Sequence, residues 1–215
     1  TTHAEQSQEM ARSLLEAIHQ DNVKTTLICG NHDPTISECD HVWIRNKQIL
    51  VFHGHASFDG VAPWSWRSKY IAKSREEWIH KNGDSFDEQL ASLRNASTIS
   101  ATGGFSHHRP STPHMLLLGI PAIWNVLFAW WKFPTLTEQW VSKYAPSTKF
   151  VITGHSHHAG IWTRNGCIII NTGCFGFPSH PRAVVIDDTQ ITVHRLRKHH
   201  DHYSLGRVCR SWNAL

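Results

Sequence analysis

The chain lacks several things that would send it to special classes of protein. It has no C-x-x-C pair, and its five cysteines (Cys29, Cys39, Cys167, Cys174 and Cys209) are odd in number. That excludes a disulfide framework and fits a reduced, cytosolic-type chain. Charge is scarce: 18% of residues are Asp, Glu, Lys or Arg, and the net charge is only +4. Nothing therefore demands a polyanionic partner, although a mild basic bias suits a phosphate-bearing substrate. The first residues are polar and of helical character, so no signal peptide is read there. The one long uncharged run, Met115 to Trp131, is slightly short for a membrane span and is interrupted by Gly119, Pro121 and Asn125. No internal repeat is visible.

What the chain has in excess is histidine, eighteen residues, and tryptophan, ten. Histidine is the commonest metal ligand, and tryptophan favours boundaries between apolar and wet surroundings. With 215 residues, 40% of them apolar, the chain suffices for one well-buried domain.

Hydrophobic spacing predicts an amphipathic helix over 3–20, with Met10, Leu14, Leu15 and Ile18 on one face. Short strands are expected at 24–29, 41–45 and 48–53, with Arg45–Gln48 as the turn between the last two. Helices are expected in the middle of the chain, including a short one at 135–145. Strand character returns at 149–153, followed by four more β-type runs, "GIWTR", "GCIIINTG", "RAVVID" and "QITVHRL". The order of helix, strands, helical insertion and strands predicts an α/β sandwich with an interruption.

Three strand ends carry the same pattern: Asn31-His32-Asp33, His53-Gly54-His55 and Gly154-His155-Ser156-His157. Each time an apolar run stops and histidines begin. Loops at strand ends are where α/β folds bind ligands. Nitrogen and oxygen donors without thiolates suit a borderline divalent metal such as manganese, iron or zinc.

These blocks resemble the calcineurin-like metallophosphoesterase family, which carries in order D-x-H, G-D-x-x-D, G-N-H-D/E, an apolar strand ending in H-G, and G-H-x-H. Here "GNHD" is Gly30 to Asp33, "VFHG" is Val51 to Gly54 and "GHSH" is Gly154 to His157. "NTGCFG", Asn171 to Gly176, is similar to the N-x-G-S that commonly follows. The resemblance runs through 10–55 and 149–196. It implies a four-layer αββα sandwich that lacks its N-terminal βαβ unit and carries a helical cap insertion. It also implies roles: Asn31, His53 and His155 as ligands of one metal, His157 of another. His32 would contact the phosphoryl oxygen or the leaving group as the catalytic residue, oriented by Asp33. Two divalent ions about 3.5–4 Å apart would polarise the phosphoryl group and activate a bridging hydroxide.

D-x-H and G-D-x-x-D have no counterpart among the thirty residues that precede Asn31. Their aspartates supply the family's bridging carboxylate, so this chain alone is expected to hold one weakly bound metal or none. It is expected to be a fragment of an intact dinuclear enzyme; a degenerate, catalytically inactive docking scaffold is the alternative, and a nucleotide or nucleic-acid phosphodiesterase a further one. A missing N-terminal segment, or a homo-oligomer, would then cover an open sheet edge.

The organisation expected is a phosphoesterase core over 1–55 and 148–198, a Trp-rich cap over 56–147 and a basic tail over 199–215. The cap tryptophans either pack a small core of their own or form a lid for an acyl chain at a membrane interface. The second option resembles the cap placement in UDP-2,3-diacylglucosamine hydrolases, although "GNHD" departs from that subfamily's usual G-N-R-D. The substrate is thus expected to be a phosphorylated small molecule or a lipid-linked one, and the location cytoplasmic or peripheral to a membrane. Nucleic acid is disfavoured, since the basic tail has no interleaved aromatics. His107, His108 and Arg109, with His114, are candidates for reaching the substrate phosphate. Arg67, Lys69 and Lys73 are expected on an exposed helix face, and His55 and His158 beside the ligands rather than among them.

Overall fold

The structure is a computed structural model that describes residues 23–63, 65, 67–101, 112–176, 179–200 and 202–214, with scattered residues of the first 22 and without side chains at 101 and 112–122. The helix expected over 3–20 falls largely outside the described residues; Arg12, Ser13 and 15–17, which are described, are helical. His107, His108 and Arg109 also lie outside them, as does the side chain of His114.

From residue 41 onward the described chain has eight strands, three α-helices and a short 3-10 turn at His55–Ser57. Strands β1 (His41–Ile44) and β2 (Ile49–Phe52) form a hairpin. Helices α1 (Ser68–Asn82), α2 (Phe86–Ala101) and α3 (Thr112–Tyr144) come next. Strands β3 (Phe150–Thr153), β4 (Gly160–Arg164), β5 (Cys167–Asn171), β6 (Arg182–Ile186), β7 (Gln190–Lys198) and β8 (Tyr203–Asn213) complete the order. The first five strands make a mixed sheet in the order β1-β2-β3-β5-β4, with β2, β3 and β5 parallel at its centre; β6, β7 and β8 make an antiparallel sheet. Parallel neighbours need long crossovers, and all three helices lie in the crossover from β2 to β3. The β4–β5 hairpin turns through Asn165 and Gly166, both with positive φ, as a tight two-residue loop requires.

Alternation along the central strands explains the layering. Leu50, Phe52, Val151 and Ile169 face the helices, where they join Leu90, Leu93, Phe133 and Trp140 in one buried cluster. Ile49, Phe150, Ile152 and Ile170 face the other way and pack against Ile191 and Val193 of the second sheet. Each such side chain removed from water contributes about 1.5–3 kcal/mol. The described residues therefore form three layers, helices on a mixed sheet on an antiparallel sheet, and the protein is of the α/β class.

Several expectations are corrected. Residues 24–29 form no strand, because no described strand pairs with them. The turn that follows satisfies their backbone instead: Cys29 N donates to Cys39 O at 2.8 Å and Ser37 Oγ to Leu27 O at 2.7 Å. The separate helix expected at 135–145 is the end of α3, which continues through Pro134. Phe133, Thr137, Trp140 and Val141 keep that stretch helical by burying one face at three- and four-residue spacing. The helical insertion does not enclose a core of its own; it shares its core with the sheet, and Trp140 stacks on Phe52 at 5.3 Å. Most of the segment expected as a basic tail over 199–215 is the long edge strand β8, whose Trp212 packs edge-on against Phe150 at 5.3 Å.

Helix α3 leaves Ile123, Trp124, Leu127, Phe128 and Trp131 exposed in one stripe, with the Lys132 ammonium 4.7 Å from the Trp131 ring centre. Among the described residues no helix is long and apolar enough to cross a membrane.

Arg75 fastens the helical layer. Its guanidinium is buried and donates to Phe58 O (2.9 Å), Asp59 O (2.8 Å) and Gln89 Oε1 (2.8 Å). Burial lowers its pKa, with Asp59 opposing. Replacing Arg75 with Ala leaves those carbonyls without a donor, and we expect a loss of about 3 kcal/mol. Urea denaturation measures it; a change below about 0.5 kcal/mol would refute this role.

Candidate functional site

The register of the central strands brings the histidines together. Val51 stands opposite Ile152, so the residues after the two strands also pair: Gly154 N and His155 N both donate to His53 O, at 3.1 and 3.0 Å. Gly54 permits this turn with φ of 104°, and a side chain there would strike Thr153 and His155. In consequence the rings of His53 and His155 lie 4.9 Å apart, with His55 also 4.9 Å from His53.

Gly30 brings the third block in. A Cβ at Gly30 would stand 3.0 Å from His53 Nε2, so only glycine allows the "GNHD" backbone to run against that imidazole edge. The next residue, Asn31, presents a side-chain oxygen, Oδ1, that is buried and has no hydrogen-bond partner among the described residues. His32 and His157 are close enough to act on the charge state of both His53 and His155. The structure thus unites Asn31, His32, His53, His155 and His157. Asp33 is exposed, and among the described residues no hydrogen bond joins its carboxylate to His32.

Hydrogen bonds constrain the imidazoles. His155 Nε2 lies 2.8 Å from the carbonyl of Val61, which can only accept, so Nε2 carries the proton and Nδ1 is the basic nitrogen. His53 Nδ1 and His55 Nδ1 share a hydrogen bond of 3.0 Å, which leaves Nε2 of His53 as the edge turned toward Gly30. Burial first, then the neighbouring His155, His32 and His157, push the His53 pKa down to about 3. Burial likewise pushes His155 down to about 4 against the Val61 hydrogen bond, and takes His55 well below its ordinary value. Neutral imidazoles held in one tautomer by a second hydrogen bond are the form in which histidine binds a metal.

Two of the six non-glycine residues with positive φ among the described ones lie here. Val61 (φ 64°) and His157 (φ 58°) both sit in the left-handed region, which a β-branched residue rarely adopts. Both line a cavity of about 610 Å³ that extends from the histidine cluster between the three helices. Asn31, His32, His155, Ser156 and His157 form its strand-end wall. Val61, Ala62, Ile71, Val126 and Trp130 supply apolar surface, while Ser65, Arg67, Ser97 and Ser100 supply hydroxyls and a guanidinium.

The donor set fits one borderline divalent ion in kind: an orphaned amide oxygen and neutral imidazoles, without thiolate. Its assembly is incomplete, for among the described residues no group of three or more His, Cys, Asp or Glu stands in position to hold a metal ion. Asn31 is outside that set of residue types, and no carboxylate lines the cavity among the described residues.

Some residues were undervalued in the sequence. His55, expected beside the ligands, is buried and hydrogen-bonded to His53. Arg67 is not part of an exposed helix face: it is half-buried, lines the cavity and donates to Ser100 O at 3.0 Å, whereas Lys69 and Lys73 are exposed. Trp130 donates to Ser156 O at 2.9 Å and stacks on His158 at 4.9 Å. Asn171 is fully buried and donates to Ser156 Oγ at 2.9 Å, bracing the "GHSH" turn. The motif at Asn171 was a signal for the last; nothing local signals Trp130 or Arg67.

Compared with known proteins, the chain gives no significant match to a family model, a curated protein or a solved structure.

The lowered histidine values set a pH dependence for the metal-free chain. The unfolded chain takes up protons near pH 6.5 while the folded one does not, so stability falls as pH drops from about 6.5 toward 4. Each tenfold change in proton affinity corresponds to about 1.4 kcal/mol, so the buried pair should make this loss several kcal/mol. Melting curves of chelator-treated protein between pH 7 and 4.5 measure it; a flat melting temperature would contradict the burial of these rings.

Proposed function

We propose that the chain is a metal-dependent phosphoesterase of the calcineurin-like type, with Asn31, His53 and His155 holding one divalent manganese, iron or zinc ion and His157, the resemblance's ligand for a second ion, lining the adjoining cavity. The observation that carries this is the buried, unpartnered Oδ1 of Asn31 beside the convergent histidines. Two sheets packed face to face, with helices outside one of them, also support the family's sandwich.

A bound ion would polarise a phosphoryl group and lower the pKa of a water. The chain's own groups do the rest. His155 would bind through Nδ1, because Val61 O holds the proton on Nε2, and His53 would bind through Nε2 with its Nδ1–H donating to His55 Nδ1. His32 lines the cavity and is exposed, a position from which it would contact a phosphoryl oxygen or leaving group as the general acid. The family's second ion would need D-x-H and G-D-x-x-D carboxylates ahead of the G-N-H-D block, and the thirty residues before Asn31 hold neither; the string Gly83 to Asp87 has the letters G-D-x-x-D but follows that block, where α1 ends and α2 begins. One ion per chain is therefore proposed for this polypeptide.

Titration with Mn²⁺ and Zn²⁺, followed by hydrolysis of a generic aryl phosphodiester, tests the proposal. We expect one ion per chain, abolished by His155→Ala, and weakened on the order of 10- to 100-fold by His55→Phe, which removes a supporting hydrogen bond. A chain that binds no metal would be better described as a docking scaffold of the same fold.

A lipid-linked substrate is a second option, supported by the exposed Trp124, Phe128, Trp131 and Lys132 surface of α3. Sedimentation with anionic vesicles should then fall at least about fivefold in a Trp124→Ser/Trp131→Ser variant; equal sedimentation of the two proteins would remove this option.

A further inference from the structure

Most buried hydroxyls in the helical layer are satisfied. Ser92 Oγ donates to Gln89 O at 2.7 Å, and Ser57 Oγ meets Thr137 Oγ1 at 2.7 Å. Ser97 is the exception. It is 2% exposed, its Oγ has no hydrogen-bond partner among the described residues, and it lines the cavity that begins at the histidine cluster. An unpaired buried hydroxyl costs about 1–3 kcal/mol, so a stable helix gains nothing from it unless a ligand completes the bond.

One turn along the same face of α2 lies Ser100, which holds the Arg67 guanidinium through its carbonyl at 3.0 Å and its hydroxyl at 3.2 Å. Arg67 also lines the cavity, and its backbone N donates to Ser65 Oγ at 3.2 Å. The guanidinium is thereby held at a fixed place instead of trailing into solvent. Among the described lining residues it is the one permanent charge. A concave site with low-dielectric walls and a single sign of charge concentrates small anions. Its volume, about 610 Å³, is that of a small-molecule site and is too small for a folded partner.

We propose that the cavity is a substrate pocket for a small organic phosphate whose far end carries a second anionic group, bound by Arg67 with a hydrogen bond from Ser97. The assignment rests on the phosphoesterase reading for its phosphate end only; the anion end stands on Arg67 and Ser97 themselves. The apolar surface of Val61, Ile71, Val126 and Trp130 between the two ends suits a flat or ring-bearing linker. Arg67 and Ser97 then determine specificity and take no part in bond breaking.

Calorimetry with two probes, phenyl phosphate and 4-carboxyphenyl phosphate, tests this on the full chain with and without Mn²⁺. The carboxylated probe should bind about tenfold more tightly, as a charge-assisted pair with a guanidinium would give. Arg67→Gln should bring the two probes to within about twofold and Arg67→Lys should keep part of the difference, with Mn²⁺ stoichiometry unchanged. Ser97→Ala should weaken the carboxylated probe while raising the melting temperature, because an unsatisfied hydroxyl is removed; a merely structural serine would not give that pair of effects. Equal affinity for the two probes, no binding of either, or discrimination that survives Arg67→Gln would overturn the pocket. Discrimination without any bound Mn²⁺ would support the pocket and sink the metal site instead.

Discussion

Everything at the site depends on the parallel register of β2 and β3. A parallel pair has one carbonyl-to-amide rhythm, and here it continues one step beyond the strands, where His53 O accepts from both Gly154 and His155. That shared carbonyl holds two imidazoles with their ring centres 4.9 Å apart. A slip of one residue would turn Leu50 and Val151 to the wrong layer and separate the rings. The core and the site are therefore enforced by the same pairing: a one-residue slip that separates the histidines also takes Leu50 or Val151 out of the helix-facing cluster.

Burial has a second consequence. Imidazoles at this strand end are covered by Val61, Phe58 and the helices, and the covering layer keeps them neutral. The cost appears as strain at Val61 and His157 and as the unpaired oxygens of Asn31 and Ser97. Left-handed backbone at a buried valine and orphaned polar atoms facing one cavity both oppose stability, and both lie where a ligand would offset them. Their coincidence at one cavity is what favours the proposed binding site over a cluster of packed histidines.

Much of this was legible in the sequence because it is local. Apolar runs ending in His53-Gly54-His55 and Gly154-His155-Ser156-His157 declare strands and what stands at their ends, and the unbroken apolar run of Ile49 to Phe52 is that of a strand covered on both faces. What failed was non-local. The 24–29 run has the composition of a strand, but pairing needs a neighbour, and Ser37 and Cys39 take its hydrogen bonds. Pro134 reads as a helix break until Phe133 and Trp140 are seen buried on one side of it. Tyr203 to Asn213 is too polar to announce a strand, and becomes one by pairing with β7. Arg67 and Ser97 are thirty residues apart and meet at one cavity only because α1 packs on α2.

The central claim is that these strand ends hold a divalent ion through nitrogen and oxygen. X-ray absorption at the zinc edge, on the chain loaded with one equivalent of Zn²⁺, tests it most directly. The account predicts a light-atom shell at about 2.0–2.1 Å with the multiple scattering of histidine rings, weakened in a His53→Gln/His155→Gln variant. A sulfur shell at about 2.3 Å, or a spectrum that the double variant leaves unchanged, would place the metal elsewhere and contradict it.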